Sequence, residues 1–237
     1  MKLRAAIFAI VMSIASSAPA ATFLITYTGT ISSGYDTTGK FGPPATDLTG
    51  VPYRAVYTLT DPKPGATSVR FGPDEFGTEE SSTFGYGKAN PLTGVLTING
   101  VSHSFDFEGS AYQFHAIQPG SFVYLASVSH FTTNFPEEGH VADYLINTIF
   151  SPVNSFLSSG DYTHPLNYKI KPGDFVYGFF QVYREGGDFA QGDLAPSSVT
   201  ISKAVPEPMS WTMMIAGFGL VGAKMRRHMA AAKFPSA

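Results

Sequence analysis

Apolar and polar residues alternate with a period of two over much of the chain, and no segment keeps a helical period for three turns. In residues 53–60, Tyr53, Ala55, Tyr57 and Leu59 fall on one face, while Arg54, Thr58 and Thr60 fall on the other. That is the pattern of a strand with one side on a core and one in water. Asn99-Gly100 separates the alternating runs GVLTI and VSHSFDF. A type I′ turn needs positive φ at both central residues, which this pair accepts cheaply, so a hairpin is predicted here. The run DFVYGFFQVYR is apolar on both faces, with Phe175, Tyr177 and Phe179 opposite Val176, Phe180 and Val182. It reads as a central strand covered on both sides. Further strands are predicted over residues 22–31, 67–71, 92–98, 101–108, 112–117, 122–132, 144–150, 167–170 and 198–203, with 37–50 and 73–87 as loops. About ten short strands punctuated by glycine and proline point to an all-β body, a β-sandwich or jelly roll.

Composition narrows the class. The 237 residues are 43% hydrophobic and 14% aromatic, only 14% are charged, and there is no cysteine. A disulfide-stapled miniprotein and a disordered chain are both excluded. The charge is uneven: residues 21–204 hold 17 Asp plus Glu against 9 Lys plus Arg, a net of −8, although the whole chain carries only −3. An acidic body does not bind nucleic acid or anionic lipid by bulk electrostatics.

The ends are basic and apolar. Lys2 and Arg4 precede an apolar run over residues 5–14, followed by small residues ending in Ala18-Pro19-Ala20. This is the layout of a secretory signal peptide spanning 1–20 and cut after Ala20, which leaves 21–204 as an extracytoplasmic domain. At the other end, residues 209–223 are apolar. With the segment back to Val205 they would reach ~28 Å as a helix, close to the ~30 Å hydrocarbon core of a bilayer. Lys224, Arg226 and Arg227 stop this transmembrane segment on the cytoplasmic side, and Trp211, the only tryptophan, suits the opposite interface. A short cytoplasmic extension, 229–237, completes the chain.

The string Pro206-Glu207-Pro208, two residues, Trp211, then TMMIAGFGLVGAKMRR closely resembles the PEP-CTERM sorting signal in its PEPxxWA variant, with Thr212 where that variant has alanine. The resemblance covers residues 205–228 only. It implies recognition by an exosortase with cleavage near the Pro-Glu-Pro motif, in a Gram-negative bacterium that makes exopolysaccharide. The protein would then cross the inner membrane, be anchored there transiently, and end at the cell surface or outside the cell.

Candidate chemistry in the body is sparse. There is no nucleophile elbow, metalloprotease motif, phosphate loop or thiol. Asp106 and Glu108, two apart on a predicted strand, would lie ~7 Å from each other, within glycosidase range, although a solvated strand face is the plainer reading of them. His103 would then point inward with Phe105 and Phe107 as a hydrogen-bonded histidine. Glu185, Asp188 and Asp193 in the loop EGGDFAQGD are the calcium candidates, against the plainer reading of an acidic surface turn. No other metal or cofactor is indicated, and His130, His140 and His164 lack metal spacing. All 12 tyrosines lie in the body, including Tyr27, Tyr35, Tyr53, Tyr57, Tyr86, Tyr112, Tyr124 and Tyr183, where they serve as core residues or as sugar-stacking rings. The leading expectation is a non-enzymatic surface or matrix protein associated with exopolysaccharide or biofilm. A carbohydrate-binding module comes second, and a secreted glycan hydrolase or lyase third.

Overall fold

The computed structural model describes residues 20–75, 77–116, 125–134, 142–162, 164–184 and 186–204, together with Phe218. The body is all-β, one antiparallel sheet of thirteen strands among the described residues. In chain order these are β1 (Ala21–Asp36), β2 (Thr46–Asp47), β3 (Pro52–Asp61), β4 (Thr67–Phe71), β5 (Glu79–Tyr86), β6 (Leu92–Ile98), β7 (Val101–Phe105), β8 (Glu108–His115), β9 (Ala126–Asn134), β10 (Asp143–Ser151), β11 (Leu166–Lys169), β12 (Phe175–Tyr183) and β13 (Phe189–Lys203). The main path runs β4-β5-β8-β9-β10-β12-β13-β1-β3-β6-β7. β2 adds to β1, and β11 shares with β12 one long edge of β13.

The sheet curls so that its two arms face each other across the core. Thr132 on β9 reaches carbonyls on the opposite arm, and its hydroxyl bonds Leu92 O at 3.4 Å and Phe105 O at 3.3 Å. Gly94 on β6 permits that approach, since a Cβ there would lie 2.6 Å from the Thr132 methyl. Between the arms, Ile25, Leu59, Leu96, Phe105, Leu145, Ile149 and Phe180 are fully buried. Each such side chain contributes about 1.5–3 kcal/mol by leaving water. A polar network is enclosed with them. Tyr27 Oη and His130 Nδ1 are 2.8 Å apart, Tyr53 Oη donates to Asn147 Oδ1 at 3.0 Å, and Asn147 Nδ2 donates to Tyr57 Oη at 2.9 Å. Buried polar groups need such partners, and these bonds lock β1 and β3 onto β9 and β10 in one register.

Several predicted strands coincide with the observed ones. β4 and β6 have the predicted bounds, and β3 buries Tyr53, Ala55, Tyr57 and Leu59 as its alternation requires. The β6–β7 hairpin turns at Asn99 (φ 51°) and Gly100 (φ 78°), both in the left-handed region.

Other expectations are corrected. Residues 73–87 are not all loop, because Glu79–Tyr86 forms β5. Its serines, threonine and glycine gave no apolar run to read. Within 37–50, Thr46–Asp47 pairs with the end of β1, which itself runs five residues further than predicted. The predicted strand 101–108 breaks after Phe105, at the corner where the chain crosses from one arm to the other; Phe107 N donates to Thr133 O at 3.0 Å, and Glu108 opens β8. Finally, β12 is internal in the strand order but not covered on both sides, since its Phe175 and Tyr177 stand 54% and 53% exposed. The expected signal peptide, apart from Ala20, and the sorting tail, apart from Phe218, lie outside the described residues. Among the described residues no helix is long and apolar enough to cross a membrane.

Candidate functional site

The uncovered side of β12 belongs to a larger surface. Because side chains alternate along every strand, the residues opposite the core form a second face on β5, β8, β9, β10 and β12. Register sets their neighbours. One row reads Phe84, Ser110, Phe131, Ile146, Phe179, and the next reads Ser82, Tyr112, Ser129, Thr148, Tyr177. The flanking rows add Tyr86 and Tyr144 on one side, and Phe150 and Phe175 on the other. Tyr86 is 64% exposed and Phe84 41%. Phe150 and Phe175 stack at a centroid distance of 5.0 Å and an interplanar angle of 8°, while Phe131 and Tyr144 lie 6.4 Å apart.

Single exposed apolar side chains are ordinary, but here the exposed Phe84, Tyr86, Phe175 and Tyr177 are joined by the half-buried Phe131, Ile146 and Phe179, and a connected apolar field of this kind marks an interaction surface. Its composition is specific: aromatic rings are interspersed with short hydroxyls and one isoleucine, Ile146, with Ser129 and Thr148 hydrogen-bonded at 2.8 Å. Aromatic positions in the first row recur on every second strand, about 9.6 Å apart from the strand spacing, comparable with the length of a disaccharide. Rings and hydroxyls at that interval can stack on sugar faces and bond their hydroxyls.

The face runs on into a depression of about 280 Å³ lined by Ser33, Tyr35, Phe179, Gln191 and Asp193. There the Ser33 hydroxyl donates to Asp193 Oδ2 at 2.7 Å. The carboxylate keeps acceptor capacity beside the Phe179 ring, a pairing suited to an uncharged, hydroxyl-rich ligand.

The residues singled out from sequence fall in different places. Of the tyrosines, Tyr27, Tyr53 and Tyr57 are core; burial raises the hydroxyl pKa of all three well above the ordinary value. Tyr86, Tyr112 and Tyr183 face outward, Tyr35 lines the depression, and Tyr124 lies outside the described residues. Asp106 and Glu108 do not share a strand face, because the corner separates them. Glu108 begins β8 beside Thr133, and Asp106 lies in the corner with its carbonyl bonded by Asn90 Nδ2 at 2.7 Å. His103 is half-buried against Phe105, with Nε2 2.8 Å from Asp143 Oδ2, as expected of a hydrogen-bonded histidine; Phe107, past the end of β7, is exposed and not on the inward face predicted for it. Asp188 lies in the turn before β13 and Asp193 inside that strand, so extended geometry sets their Cα atoms on the order of 16 Å apart. Glu185 lies outside the described residues, and among those described no three His, Asp or Glu side chains converge as metal ligands. Pro206, Glu207, Pro208, Trp211, Lys224, Arg226 and Arg227 also lie outside them.

Sequence reasoning missed the phenylalanines of this face. The signal was present: Phe84, Phe131, Phe150, Phe175 and Phe179 sit at alternate positions with serine, threonine or tyrosine. Which of the two alternating sets would be covered was not legible. Compared with protein-family models, curated proteins and solved structures, the chain matches none.

Proposed function

We propose that this protein is an exported, exosortase-sorted surface or matrix protein whose β-sandwich body holds exopolysaccharide on its outward aromatic face, without catalysing a reaction on it. The rows of aromatic rings interspersed with hydroxyls across β5, β8, β9, β10 and β12 carry this reading. Delivery rests on the resemblance of Pro206-Glu207-Pro208, Trp211 and the basic stop to the sorting signal. The aromatic groups favour glycan over anionic membrane, since the rows contain Glu108 and no lysine or arginine.

Affinity electrophoresis of the purified protein through gels containing a panel of polysaccharides tests the proposal. At least one glycan retards the wild type, and Tyr177→Ala, at a half-exposed position, weakens that retardation about tenfold, taking stacking at about 1–3 kcal/mol per ring from the base-stacking analogue. Mobility unchanged in every gel would remove the reading.

A further inference from the structure

A cleft of about 360 Å³ opens at one end of the curled sheet, lined by Thr38, Gly39, Lys40, His103, Val182, Tyr183 and Arg184. The body carries almost two acids for every base, yet Lys40 and Arg184, separated by 143 intervening residues, both line this space. His103 stands with them.

The loop that presents Lys40 is built, not draped. Asp36 is fully buried, and its Oδ1 accepts hydrogen bonds from Thr38 N (2.9 Å), Thr38 Oγ1 (2.7 Å) and Gly39 N (2.9 Å). Its Oδ2 accepts Phe41 N at 2.7 Å. Phe41 is buried edge-on against Phe180, 5.7 Å between ring centres, and its carbonyl accepts Asn99 Nδ2 at 2.9 Å. From the opposite wall Arg184 Nη1 donates to Thr38 O at 3.2 Å, which holds the guanidinium beside the loop.

Among the described residues, the two buried acids of this corner are committed to other partners. Asp36 is saturated by its four donors, and Asp143 accepts Tyr183 N at 2.7 Å through Oδ1 and contacts His103 through Oδ2. Asp188 meets this corner through its carbonyl, which accepts Arg184 N at 2.9 Å. Two exposed cations that line one concavity, the guanidinium held by the Thr38 carbonyl and Lys40 carried on the braced loop, make an anion subsite, and an arginine fork matches a carboxylate. Tyr183, the last residue of the outward row of β12, connects the cleft to the aromatic face.

We infer that this cleft binds the carboxylate of an acidic sugar, so that the glycan held on the aromatic face is a uronate-containing polysaccharide; this rests on the glycan reading above and adds the class of sugar. The test is calorimetric titration of the purified protein with oligogalacturonate and with its methyl-esterified, uncharged counterpart, for wild type, Lys40→Ala/Arg184→Ala and Tyr177→Ala. Both cations are exposed and bonded at most to one backbone carbonyl, so the double variant keeps its fold, checked by its thermal midpoint.

The expected result is that wild type binds the acid form at least tenfold more tightly than the ester. The double variant brings the two to the same affinity, and Tyr177→Ala weakens both alike. Equal wild-type affinity for acid and ester, with Tyr177→Ala weakening both, would overturn the acidic subsite and leave the aromatic-face reading intact. A preference for the acid that survives in the double variant would also overturn it. Binding of neither glycan in this titration overturns the uronate inference, whereas the wider glycan reading falls only if the polysaccharide panel is negative as well.

Discussion

His130 provides the sharpest test of how the core is assembled. It is fully buried between Tyr27 and Tyr57, and burial pushes its pKa down from 6.5 to about 3. In the unfolded chain the same imidazole titrates near 6.5. Between these values the unfolded state binds a proton that the native state refuses, so stability rises with pH across this window and falls as the solution is acidified through it. The contribution is complete above about pH 6.5 and lost progressively toward pH 3. One proton corresponds to about 1.4 kcal/mol per pH unit, and with the unfolded imidazole half protonated at pH 6.5, acidification from pH 6.5 to 4.5 removes roughly 2 kcal/mol, a sizeable share of a domain's usual stability. Glu79, whose carboxylate accepts the Ser159 hydroxyl, and Asp174, which accepts Tyr168 Oη against the upward pull of burial, have pKa values held below the ordinary one; their contribution is present above the ordinary carboxylate range and is lost as pH falls through it. Urea unfolding at half-unit steps of pH, for wild type and His130→Gln, isolates the effect. The variant is less stable at neutral pH because its contact with Tyr27 is altered, but its loss between pH 6.5 and 4.5 is shallower by about the 2 kcal/mol assigned to His130. Parallel curves for the two proteins would refute the burial of a neutral imidazole between the arms.

Two more outcomes are expected. Asn147→Ala strands the hydroxyls of Tyr53 and Tyr57 and opens a cavity, and should cost about 2–4 kcal/mol in the same urea assay, where a loss below 1 kcal/mol would show that the network is dispensable. Replacement of Pro206, Glu207 and Pro208 by alanine should abolish tail processing in the producing cell, read by mass spectrometry of the carboxyl terminus; processing identical to wild type would end the exosortase assignment.

The period-two patterning determined a great deal without the structure. It fixed the all-β class, the side of β3 that is buried, and the Asn99-Gly100 hairpin, because alternation and left-handed turn geometry are properties of a few consecutive residues. β5 escaped because Glu79, Ser81, Ser82 and Thr83 make a strand by pairing with β4 and β8, not by their own hydrophobicity. The break after Phe105 was invisible for a related reason, since the corner forms where the chain leaves one arm for the other. Tertiary structure alone decided which alternating set of β12 would face the core. Phe180 and Val182 are buried in the core, whereas Phe175 and Tyr177 of the other set are exposed, as is Val176 near the start of the strand, and both sets are equally apolar in sequence. The same applies to the cationic cleft. Lys40, His103 and Arg184 are brought together by long-range strand pairing and the curl of the sheet, a sum of many contacts that no local window of residues contains.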